Sequence, residues 1–191
     1  MRLLIFISIL AIALSCSTGQ EESKAEARQY ADITGYNLKD TLIRVCMEDA
    51  DGPGDSCGYV NQRGDTIIPI GRYTYCFTDT FTTFAIVLDT STLPIAIGPD
   101  GRRLFEVYWY DNGPDYVEDG LFRILRNGKV GYADTTGRVV IEPQFDCAFP
   151  FSEGKARVAY DCKLEKSGDE EHTSMVSDSW FYIDRKGQKI E

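Results

Sequence analysis

A catalytic centre needs a base, a nucleophile or a set of metal ligands at workable spacing, and this 191-residue chain offers few of each. Its one histidine, His172, lies in a polar run with no fixed group beside it, so it reads as a solvated residue rather than a general base. Thirty Asp and Glu are spread along the chain without a pair that stands out as the acid and nucleophile of a sugar-cleaving site. Asp49, Asp51 and Asp55 match the first, third and seventh ligands of a calcium-binding loop. Pro53 and Val60 then stand where further ligands are needed, so the stretch reads as a plain acidic loop. No two cysteines have the close spacing of zinc ligands, and neither a metal nor a cofactor is expected. The densest chemistry is that of binding. Tyr108, Trp109, Tyr110 and Asp111 open a stretch, to Asp119, in which rings alternate with carboxylates. Such a surface stacks on and hydrogen-bonds a sugar, or anchors a protein partner. The same rings would also pack a strand pair with Asp111 to Pro114 as its turn.

The elements that carry these residues are set by a repeat. Gly58-Tyr59-Val60-Asn61 leads to Gly64 and a β-branched run ending at Pro69, and Gly131-Tyr132-Ala133-Asp134 leads to Gly137 and a run ending at Pro143. Trp180-Phe181-Tyr182-Ile183-Asp184 leads to Gly187, and a weaker copy spans Ile95 to Phe105 around Gly101. The glycines Gly64, Gly101, Gly137 and Gly187 are separated by steps of 37, 36 and 50 residues. Each copy is an aromatic or apolar strand, a turn and a returning β-branched strand. That pattern predicts a β-hairpin in which Asn61, Asp134 or Asp184 bonds its own backbone and the glycine takes a positive φ. Pro69 and Pro143 are expected to end the return strands, because proline has no N–H for the ladder. The long last step is assigned to residues 163–179, a polar insertion expected to form a surface loop.

These residues resemble the WG repeat of bacterial proteins, a β-rich unit whose pattern runs from a Trp-Gly-Tyr opening through a glycine turn to Phe-Ser-Glu-Gly-Ala. Residues 131–158 follow it most fully, ending in Phe151-Ser152-Glu153-Gly154-Lys155-Ala156. The resemblance implies units near 57–92, 93–126, 127–162 and 180–191 within a domain spanning 40–191, and a binding role for the array. The fold class expected is all-β, with antiparallel hairpins stacked in an open array because no unit can bury its apolar face alone. A small closed, propeller-like arrangement is the alternative.

The first fifteen residues have the form of an export signal, Arg2 followed by an apolar run from Leu3 to Leu14. That run is shorter than the roughly 20 apolar residues of a membrane-spanning helix. Ala13-Leu14-Ser15-Cys16 resembles the lipobox of bacterial lipoproteins, with Ala13 where Leu is usual, and implies lipid on Cys16 as the link to a membrane. Residues 16–39 then read as a polar tether. Within it, Gln20-Glu21-Glu22 loosely resembles the signals that send lipoproteins of the Bacteroidota to the outer-membrane surface. Of the remaining cysteines, Cys46 with Cys57 and Cys147 with Cys162 are the nearest pairing candidates, leaving Cys76 free; other connectivities stay open. A net charge of −10 disfavours nucleic acid as a partner. The function expected is a cell-envelope binding module, at the outer membrane, for a protein or a glycan. A carboxylate-dependent glycan hydrolase and a structural lipoprotein without a ligand are the alternatives.

Overall fold

The computed structural model describes residues 40–48, 55–90, 93–166 and 173–190, and every regular element in them is a strand. In chain order these are β1 (Leu42–Glu48), β2 (Asp55–Val60), β3 (Thr66–Tyr73), β4 (Tyr75–Cys76), β5 (Thr80–Phe81) and β6 (Ala85–Leu88). There follow β7 (Ile95–Ile97), β8 (Arg103–Val107), β9 (Trp109–Tyr110), β10 (Gly113–Pro114) and β11 (Leu121–Arg126). The third group is β12 (Lys129–Asp134), β13 (Val139–Phe145), β14 (Cys147–Ala148), β15 (Lys155–Ala159), β16 (Lys163–Lys166) and β17 (Thr173–Val176), and β18 (Phe181–Asp184) and β19 (Lys189–Ile190) close the series. All pairings are antiparallel, and no sheet closes into a barrel. The all-β reading of stacked hairpins therefore holds.

The hairpins do not stack as the sequence copies are written. The first sheet is β3-β2-β1-β5; beyond it, each layer takes a short strand and the next long strand from one copy, then the glycine-turn hairpin from the next. The last layer, β14-β15-β18-β19, shows this plainly. The seven-stranded sheet β13-β12-β11-β8-β7-β6-β4 is two such layers that share β8. Consecutive copies are thus stitched together by ladder hydrogen bonds as well as by packing. Apolar clusters fill the spaces between layers. One joins Leu42, Tyr59, Ile68 and Phe81 to Val87, Ile95 and Ile97. A second gathers Ala96, Phe105, Phe122, Ile124 and Ala133, and a third gathers Tyr132, Ile141, Phe145, Phe151, Val158 and Ile183. Alternate residues of β7 and of β12 enter different clusters, so these strands are covered on both faces.

All four turns close with the same pair of backbone bonds. Gly64, Gly101, Gly137 and Gly187 donate to the carbonyls of Asn61, Gly98, Asp134 and Asp184, and each of those four residues donates to the carbonyl four positions on. Asn61, Asp134 and Asp184 also accept two backbone N–H groups through Oδ1, as expected of them. The four glycines have φ between 75° and 87°. Partial burial pushes the Asp134 carboxyl up, but bonds from the Thr136 hydroxyl and the Arg138 and Thr136 amides outweigh it and hold the group below its ordinary 3.8.

The two prolines behave differently from the expectation. β3 and β13 run through Pro69 and Pro143 instead of ending there, because both prolines sit in bulges where no ladder donor is required. Within the insertion at 163–179, expected to be a surface loop, β16 and β17 pair antiparallel from Lys163↔Val176 to Lys166↔Thr173. The first strand, β1, precedes the first copy and was not marked by any repeat residue.

The bulges explain the glycine that precedes each buried tyrosine. A Cβ on Gly58 would lie 2.5 Å from the Ile68 carbonyl oxygen and 2.7 Å from the Ile70 nitrogen, and one on Gly131 would lie 2.5 Å from the Pro143 nitrogen. The bulged backbone passes where a side chain would be. Gly131→Ala should therefore destabilise the protein by about 1–3 kcal/mol, the range for forcing atoms into a filled space. Gly113→Ala, with nothing within 4 Å of the added carbon, should stay within about 0.5 kcal/mol. Urea midpoints at unchanged slope measure both; equal shifts for the two variants would show that the bulge yields to a methyl group.

Candidate functional site

Tyr108 to Asp111 belong to an insertion in the second copy. The equivalences come from hydrogen bonds, since Phe77, Tyr108 and Phe149 each donate a backbone N–H to the next long strand, at Ile86, Arg123 and Arg157 respectively. Between these paired positions the second copy alone adds a ribbon, in which β9 and β10 pair as Tyr110↔Gly113 and Trp109↔Pro114. Asp111 takes the left-handed conformation at its tip, with φ of 54°. The strand pair and its turn are where the strand-pair reading put them, except that the turn is Asp111-Asn112 alone and Gly113-Pro114 belong to β10.

Neighbouring residues of a strand point to opposite faces, and the ribbon uses both. Trp109 packs edge-on to Phe77 with centroids 6.5 Å apart, and Phe77 in turn meets Tyr75 at 4.8 Å. On the other face Tyr110 meets Tyr116 at 5.9 Å. These rings stay accessible, with Trp109 37%, Tyr110 50% and Tyr116 59% exposed. Tyr108 is different. It is half-buried against the third apolar cluster, beneath the Arg123 guanidinium at 4.1 Å, and so serves the fold. The four residues singled out in the sequence therefore separate into a support, two exposed rings on opposite faces, and a carboxylate at the turn, hydrogen-bonded to Asn112.

What holds the ribbon in place is a buried ion pair. Arg123 and Asp115 have side chains only 2% exposed. Asp115 Oδ1 accepts from Nη2 of Arg123 at 2.5 Å, while Oδ2 accepts from both Nε at 3.0 Å and the Arg123 backbone N–H at 2.8 Å. Nη1 donates to the Ala148 carbonyl at 3.1 Å. The Asp115 N–H donates to Tyr108, and Tyr110 lies 5.4 Å from the guanidinium carbon. With this fork-on-carboxylate geometry and the remaining donors satisfied, the desolvation cost of both ions is offset. The pair was missed in the sequence, although a lone Arg inside Leu121-Phe122-Arg123-Ile124-Leu125 signals a buried, paired charge.

The cysteine pairs form as the nearest-neighbour reading had them, Cys46–Cys57 and Cys147–Cys162, and Cys76 is free and buried. Burial raises the Cys76 thiol pKa. Among the described residues no group of three or more His, Cys, Asp or Glu is arranged to hold a metal ion, and no helix is long and apolar enough to cross a membrane. Cys16, His172, Asp49 and Asp51 lie outside the described residues.

Residues 131–161 match the model of the WG containing repeat. The match spans the third copy, from its glycine through its turn, bulge and following strand, and is the part whose residues resemble that repeat most fully. Comparison with curated proteins and with solved structures returns no match.

Removing one partner of the buried pair leaves an uncompensated charge, so Asp115→Ala should cost about 3–5 kcal/mol. Asp111→Ala, at the exposed tip, should cost no more than about 0.5 kcal/mol. Denaturant titration of both variants decides the matter, and a mild Asp115→Ala would mean that solvent reaches Arg123.

Proposed function

We propose that this chain is a binding module of the bacterial cell envelope, lipid-anchored through Cys16, whose inserted ribbon presents Trp109, Tyr110 and Tyr116 to a protein or glycan partner. One observation carries the reading. The second copy departs from the others by an insertion that leaves large rings accessible while a buried Arg123–Asp115 pair fixes its base. Aromatic side chains lose little conformational freedom on binding and bury much area, so rings held on a rigid base suit recognition. Asp115, the carboxylate of this stretch closest in sequence to Tyr116, is taken up by Arg123 and is not free to serve as an acid or a nucleophile. The form of residues 1–16 supports export and anchoring. Two disulfides suit the oxidising compartment that export would reach.

Two experiments test the reading. The full chain, immobilised through its tether, is exposed to envelope proteins and, separately, to purified envelope glycans. Trp109→Ala with Tyr116→Ala should weaken retention of the bound species by roughly 30-fold or more, the size of a lost aromatic anchor. Retention that is unaffected, or no retention by the unaltered chain, excludes the ribbon as the binding surface. For the anchor, Cys16→Ser should move the protein from the membrane to the soluble fraction, and continued membrane partitioning would overturn that half of the proposal.

A further inference from the structure

The repeat supplies its own internal comparison at the residue that Arg123 occupies. In the first copy the equivalent residue is Ile86, whose backbone N–H donates to Thr78 Oγ1 at 2.9 Å. In the second, the Arg123 N–H and guanidinium are both taken by the Asp115 carboxylate. In the third the residue is Arg157. Its guanidinium carbon lies 4.4 Å from the Phe149 ring centre and 4.7 Å from that of Trp180, and those two rings are themselves 5.3 Å apart. Phe149 stands where Tyr108 stands in the second copy, and Trp180 contributes the second ring as Tyr110 does there. Two rings against the guanidinium are therefore repeated, but the carboxylate is not. The third copy has only Pro150 and Phe151 after Phe149 where the second inserts its ribbon, so nothing there corresponds to Asp115. Among the described residues no carboxylate reaches the Arg157 guanidinium, and no side-chain oxygen takes its N–H.

The surroundings suit an anion. Ala156, Val158 and Ile183 point into the core, and the register Arg157↔Tyr182 and Lys155↔Asp184 puts these four residues together on the other face. Lys155 lies over the Tyr182 ring at 5.2 Å. Asp184, opposite Lys155 in the ladder, is engaged by the Lys186 and Gln188 amides through Oδ1. Arg157 is half-buried, with its guanidinium oriented by two rings, so little order is lost when a planar ligand meets its fork.

We propose that Arg157, resting against both Phe149 and Trp180, receives the carboxylate of an aspartate or glutamate from an acidic segment of a partner protein, in the way Arg123 receives Asp115. The intramolecular example favours a peptide over a sugar acid. Asp115 reaches Arg123 from a chain segment whose own backbone N–H bonds to the Tyr108 carbonyl, so both the acid and its backbone are recognised. This site is on a different copy from the ribbon and does not depend on the ribbon being a binding surface.

The test uses the full chain, labelled with nitrogen-15 and purified in detergent. The probe is a capped peptide with the sequence of residues 113–117, Gly-Pro-Asp-Tyr-Val, compared with its Asn counterpart and with glucuronate. The Asp peptide should shift the Arg157 Nε and Trp180 indole resonances, and the Asn peptide should bind at least about tenfold more weakly, as befits loss of a charge-assisted pair. Arg157→Lys should produce a similar loss because it keeps the charge but not the fork. Trp109→Ala with Tyr116→Ala should leave the titration unchanged. No shift with the Asp peptide, equal binding by the Asn peptide, or a response to glucuronate alone would each overturn the proposal. The Asp and Asn peptides are compared on the unaltered chain, so the result stands even if Arg157→Lys does not fold.

Discussion

At Gly58 and again at Gly131 one backbone passes directly against another, and most of the architecture follows from whether that approach is made. Where glycine is present, the facing strand bulges around Pro69 or Pro143 and turns, so that a separate short strand, β4 or β14, pairs with the strand that follows. The tyrosine after the glycine is then buried, with its hydroxyl donating to the carbonyl of Thr78 or Phe149 and its ring edge-on to Phe81 or Phe151. In the second copy Ile95 replaces the glycine. The return strand β8 has no such bulge there and runs straight on to pair with β11, which fuses two layers into one seven-stranded sheet.

That difference also explains why the repeat spacing looks regular when the copies are not. From the turn glycine to the residue paired with the next long strand, the chain takes 12 residues in the first copy, Gly64 to Cys76, and 11 in the third, Gly137 to Ala148. In the second it takes 6, Gly101 to Val107. The ribbon that follows restores the lost length, so the near-equal steps conceal a deletion and an insertion. The inserted ribbon brings with it Asp115, which neutralises Arg123 in the space beside Tyr108. A charge is tolerated at that position because a ring, a carbonyl and a carboxylate surround it.

How far the sequence revealed this can be judged residue by residue. The hairpins were legible because Asn61, Asp134 and Asp184 impose a local turn whatever surrounds them, and because their glycines carry the positive φ. The nearest cysteine pairs were legible because they flank short loops. The prolines were misread because a bulge is a property of two strands together, and nothing in Ile68-Pro69-Ile70 alone shows what lies opposite. The same holds for the layers. Which copy lends which strand to a sheet depends on pairings far apart in the chain, so the sharing of strands between copies left no local trace. In the ribbon, Trp109 and Tyr110 were marked by composition, but their division between opposite faces, and the role of Tyr108 as a support, became visible only once Arg123 was placed.

Cys76 makes the same point about position. It pairs with Val87 as Val107 does with Ile124 and Ala148 with Val158, so it fills a site the other copies give to small apolar side chains. Its free thiol is a packing group in the same apolar cluster as Tyr59, and burial holds it in its neutral form. The paired cysteines lie elsewhere. Cys46–Cys57 ties β1 to β2 across from one another in the first layer, and Cys147–Cys162 ties the short strand β14 to the start of the inserted hairpin. The first lies within the first sheet and the second at the edge strand of the last. Closing loops of this length removes roughly 3 kcal/mol each of unfolded-chain entropy in the loop-closure picture. The outer layers thus receive from covalent bonds part of the stability that β7 and β12 obtain from burial on both faces.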